Sequence, residues 1–111
     1  MEKFMEYLSR QQKAAEENIA ELEREGRRDE ADFEKVRKNI YEICSTVTNA
    51  LAGRPGAGLS AVEAQFERFR SQWSAALEKA QKDHDERNTV IGETRMAALE
   101  DVIVRFREIK S

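Results

Sequence analysis

Residues 81–89 read QKDHDERNT, nine positions without an apolar side chain. Whether this stretch bends the chain or continues a helix decides the fold. Upstream of it, Val62, Phe66, Phe69, Trp73, Ala76 and Ala80 recur in steps of three and four, the seam of a packed helix. Downstream, the pattern resumes at Val90 and Ile91 and runs through Met96, Leu99, Ile103 and Phe106, with Val102 and Ile109 beside them. Asn88, Thr89, Val90, Ile91 and Gly92 are mediocre or poor helix formers, together costing roughly 3 kcal/mol against alanine, and they predict a turn near Asn88. The opposing signal is phase. Trp73, Ile91 and Ile109 lie eighteen residues apart, five whole helical turns. Salt-bridge spacings also run into the polar stretch: Glu78 with Lys82, Lys79 with Asp83 and Asp83 with Arg87.

Two architectures follow. With a turn, the chain is a single all-α domain over residues 1–111, an antiparallel up-down-up-down bundle with helices at about 3–25, 30–52, 61–86 and 90–110. Without one, residues 61–110 form a single helix about 75 Å long, and its second half needs another subunit to cover it. The bundle is the expected fold, with the three-helix dimer as its alternative.

The first half of the chain supports either. Met1, Met5, Leu8, Gln12, Ala15, Ile19 and Leu22 form one seam, broken by the polar Gln12. Gly26-Arg-Arg-Asp29 offers a helix stop followed by an acidic N-cap. The second seam is Phe33, Val36, Ile40, Ile43, Val47 and Ala50, ending at Gly53, and Ser60-Ala-Val-Glu63 has the form of a capping box.

Composition agrees. Of 111 residues, 37% are charged and 40% hydrophobic, but fourteen are alanines, which predicts long solvated helices around a thin core. The net charge of −3 carries no basic excess for a nucleic-acid backbone. Apolar runs are at most four residues long, and MEKFMEYLSR mixes charges from its second residue, so neither a membrane span nor a secretory leader is expected. Cys44 is the single cysteine, which excludes an internal disulfide and favours the cytoplasm.

Candidate chemistry is sparse. Gly53–Ser60, GRPGAGLS, resembles a phosphate-binding loop in print, but Leu59 stands where the lysine must be, and a helical pattern precedes it instead of a strand. It reads as a bend. His84 is the only histidine; the positions at three and four residues from it are Ala80, Gln81, Arg87 and Asn88, so no metal set forms on a helix face. Cys44 flanks the second seam with no base on its own face. No catalytic, cofactor or metal residue is expected, and the chain reads as no enzyme. Phe66, Phe69 and Trp73 interleave with Arg68 and Arg70 in the manner of a stacking platform for single strands, but one helical face explains the aromatics as core.

The last helix presents the widest apolar face. Leu99, Val102, Ile103, Phe106 and Ile109 are the residues expected to make contact if that face covers a like subunit or a helical client in coiled-coil fashion. The expected function is therefore non-enzymatic: a protein-protein interaction or structural bundle that self-associates as a homodimer or covers a client. A nucleic-acid accessory role through Arg68 and Arg70 is the alternative. On the interface reading, Ile103→Asp disrupts association and leaves most helicity intact.

Overall fold

The structure is a computed structural model that describes residues 1–56 and 58–110. It is all-helical, with α1 at Glu2–Arg24, α2 at Arg28–Leu51, α3 at Gly58–Lys82 and α4 at Glu86–Lys110, and no strand among the described residues. The long helix 61–110 does not form.

The break falls at 83–85, three to five residues before the expected turn at Asn88, and its chemistry explains the shift. The Asp85 amide donates to the Ala80 carbonyl at 2.9 Å and the His84 amide to the Gln81 carbonyl at 3.2 Å. That is a Schellman stop, with His84 in the left-handed region at φ 54°. Asp85 then caps α4 by accepting from the Asn88 amide at 3.1 Å. That bond holds the Asp85 carboxyl below its ordinary range. Asn88 belongs to the first turn of α4 instead of to the loop. Lys79 and Asp83 do pair, at 2.8 Å, but they close the last turn of α3. Arg87 turns away to Asp32 of α2, at 3.6 Å.

The first hairpin uses the same device with the residue suited to it. The Arg27 amide donates to the Leu22 carbonyl, the Gly26 amide to the Glu23 carbonyl, and Gly26 sits at φ +74°. Asp29, expected at the N-cap, lies inside α2, which starts at Arg28. A left-handed backbone costs a residue with a Cβ about 1–2 kcal/mol. His84→Gly is therefore expected to stabilise the fold by about 1 kcal/mol after the extra chain entropy of glycine, raising the melting temperature by about 4 °C in a calorimetric scan. An unchanged or lower value would mean that the His84 side chain itself holds the loop.

The middle connection bends as expected, although its details differ, and Ala57 lies outside the described residues. Gly56, at φ +76°, is the left-handed glycine of this turn. A Cβ on Gly58 would come 2.2 Å from the Ala52 carbonyl oxygen, so α3 can start against the end of α2 only with glycine there. Ser60 lies within α3, and the Glu63 carboxylate is engaged by Lys110 and by Arg107 of α4, so Ser60 and Glu63 do not serve as the expected capping box.

Two helical hairpins, α1/α2 and α3/α4, join mainly through α2 and α4, while no Cα atoms of α1 and α3 approach within 8 Å. The bundle is flattened, measuring 47 × 34 × 20 Å. Its closed core lies towards one end. Phe4, Tyr7 and Leu8 of α1 meet Ile40, Tyr41 and Cys44 of α2, Val62 and Phe66 of α3, and Ala98, Leu99, Val102, Ile103 and Phe106 of α4. These are the N-terminal parts of α1 and α3 and the C-terminal parts of α2 and α4, which antiparallel packing brings together.

The other end carries the 25–27 and 83–85 loops, and small residues pack it pairwise. Ala15 and Ala31 are buried in the first hairpin, Ala80 and Gly92 in the second. A Cβ on Gly92 would lie 3.0 Å from Leu77 Cδ1 and 3.1 Å from its Cβ. Gly92, a poor helix former, lies not at the turn but within α4, where it lets α3 and α4 touch.

Candidate interaction surface

The five residues expected to make an interface occupy the interior. Leu99, Val102, Ile103 and Phe106 are buried within their own chain, and Ile109 is half-buried against the same core. The wide face of α4 is wide because α4 touches all three other helices. It is covered without a second subunit, so any contact surface has to be sought elsewhere on the molecule.

Other candidate residues are also accounted for by packing. Cys44 is fully buried, and burial pushes its thiol up to about 12, which keeps it protonated and unreactive. Arg70 binds Glu100 at 2.7 Å, and Arg68 reaches Gln65 at 3.3 Å. Arg37 pairs with Glu34 at 2.9 Å, and Lys38 with Glu42 at 3.2 Å and Glu16 at 3.5 Å. These cations are spread over different helix pairs, most of them beside carboxylates, and form no continuous basic stripe. The Phe69 and Trp73 rings stack on each other, centroids 4.8 Å apart and parallel. No three His, Cys, Asp or Glu residues gather as a metal-holding group among the described residues. No helix described is long and apolar enough to cross a membrane.

One polar site was not legible in the seams. Tyr7 and Tyr41 meet edge to face at 6.4 Å, with the Arg105 guanidinium 5.2 Å over the Tyr7 ring and that of Arg37 5.3 Å over Tyr41. Beside them, Tyr7, Gln11, Asp101 and Arg105 help to line a cleft of about 330 Å³ between α1 and α4. Burial, with the Asp101 charge adding to it, pushes both phenols above their ordinary range. The Tyr41 hydroxyl is buried with no hydrogen bond of full geometry among the described residues, and the Arg37 guanidinium beside it is the group placed to donate to it. A bond so poorly aligned contributes little, so Tyr41→Phe is expected to leave stability within about 0.5 kcal/mol of the wild type in urea unfolding. A loss of stability would show that this hydroxyl has a bound partner in solution.

The apolar surface left open lies in the loop half. Phe33 and Val36 of α2, Trp73 and Leu77 of α3, and Ile91 of α4 are half-buried. Of these, only Trp73 reaches the core cluster. Ala76 is the clearest marker. It shares the face of Phe69, Trp73 and Ala80, yet it is exposed. The α3 seam therefore continues past the point where its own chain covers it. The Arg87 guanidinium lies 5.7 Å over the Phe33 ring at this border. In sequence these residues look like ordinary seam positions, and only the small partners opposite them, Ala15, Ala31, Ala80 and Gly92, hint that the four helices do not close there. No protein-family model matches the chain, and no curated protein or solved structure does either.

Proposed function

We propose that this protein works by binding, without catalysis, and that its contact surface is the open apolar face at the loop half of the bundle. The observation that carries the reading is the one-sided core. One end is closed by five aromatic and many aliphatic side chains, while Phe33, Val36, Leu77 and Ile91 at the other stay half-buried outside it. A helix laid over that face, from a like subunit or a client, removes their remaining apolar area from water at roughly 25 cal/mol per Å². Coiled-coil-like pairing suits the three- and four-residue spacing of Phe69, Trp73, Ala76 and Ala80. A cytoplasmic setting suits a chain whose single thiol is buried and unpaired.

Trp73, the only tryptophan, reports on this face. Titration with an amphipathic Leu/Glu/Lys helical peptide is expected to shift its emission to the blue, and Ala76→Glu is expected to abolish the shift. If millimolar peptide leaves the emission unmoved and the chain does not self-associate, the reading fails.

A further inference from the structure

We infer that the occupant of this face is a second copy of the chain, packed about a two-fold axis through the loop halves of α2, α3 and α4. The inference rests on the binding reading above and names its partner. Area is the first argument. The chain exposes 6915 Å², whereas a self-contained monomer of 12.8 kDa is expected to expose about 6300 Å². The surplus of about 600 Å² approaches the roughly 800 Å² that each partner buries in a standard interface. The shape agrees, since the radius of gyration is 15.1 Å against about 13 Å for a compact chain of this length.

Self-complementarity is the second argument. A two-fold interface places residue i against j and j against i, so one face must offer both projections and flat ground. Here the half-buried rings of Trp73 and Phe33 each leave part of their surface open, and Ala76, one turn from Trp73, is the exposed flat ground. The open edge of Trp73 in one protomer then sits over Ala76 of its partner. Charge does not oppose the approach. Arg87 and Asp32 at the border of the face already face each other at 3.6 Å, so two copies bring together neutralised pairs.

Light scattering coupled to gel filtration, over a tenfold range of concentration, tests the inference. The chain is expected to run at twice 12.8 kDa. Ala76→Glu is expected to weaken the dimer at least tenfold and shift the mass to that of one chain. Ala76 is exposed, so its replacement leaves the fold intact, and Ala76→Arg provides the same test with opposite charge. Val104→Glu, at a site 53% exposed near the closed end, is expected to leave the dimer unchanged. A wild-type mass of one chain at every concentration overturns the inference, as does dissociation by Val104→Glu but not by Ala76→Glu. A monomer whose Trp73 emission still shifts with the amphipathic peptide removes the second copy alone. A monomer that ignores the peptide removes the binding reading as well.

Discussion

Ile103→Asp is expected to unfold the protein. Ile103 is 2% exposed and packs in a core cluster with Leu99, Val102 and Phe106 of its own helix and residues of the other three. Two costs add. Removing a buried isoleucine side chain loses about 2–5 kcal/mol of transfer and packing energy, and an unpaired buried carboxylate costs several kcal/mol more. A domain of this length holds in total about 5–15 kcal/mol. The helical circular dichroism signal is therefore expected to collapse at neutral pH. The pH dependence has a definite sign. Burial raises the folded pKa of the new carboxyl above its unfolded value, so the folded state binds the proton more tightly. The penalty is complete above the raised pKa and lessens as pH falls towards the unfolded value near 4. Partial recovery of helix at mildly acidic pH is the expected signature. Intact helicity at pH 7 with loss of association would put Ile103 back at a subunit interface and contradict the closed core.

The reassignment of Ile103 shows where sequence stops being informative. Period placed the helical seams, because three- and four-residue spacing survives whatever a helix packs against, and poor helix propensity at 88–92 supplied the break that makes them four. It could not assign the stripe of α4 to its own chain or to another, since both look alike until the loop at 83–85 is located. That loop was misplaced because propensity pointed to Asn88 and Gly92. The stop is made by hydrogen bonds at Ala80, Gln81 and Asp85, with a histidine where glycine is usual. Phe4, Tyr7 and Tyr41 were missed for a related reason. They lie off the two-point seams, on the flanks that α1 and α2 present to α4 and to each other. The open face at Ala76 was invisible because an alanine on a seam reads as core. Its exposure depends on how far α2 and α3 are held apart.

Phe106→Ala is the second large effect, and it separates the closed end of the bundle from the open one. Phe106 meets Phe4 at 5.2 Å and Phe66 at 5.6 Å, both near edge-on, and Phe4 meets Phe66 at 6.2 Å. One ring thus joins α1, α3 and α4, and the Phe4–Phe66 pair spans two helices whose backbones stay apart. Truncation of a buried phenylalanine costs about 3–5 kcal/mol, and each edge-to-face pair adds about 0.5–1.5 kcal/mol beyond area. The variant is expected to melt about 15 °C lower, with unfolding still cooperative. The same truncation at Val104, which is 53% exposed, is expected to change stability by less than about 0.5 kcal/mol. The two regions should also respond differently to association. Phe106→Ala weakens the fold while leaving Trp73, Ala76 and Phe33 in place, so at temperatures where it remains folded its dimer constant is expected to match that of the wild type. Ala76→Glu should do the reverse, preserving the monomer fold and losing the dimer. If Phe106→Ala dissociates the subunits while still fully helical, the contact surface lies at the aromatic end of the bundle, and the open face at Ala76 has another role.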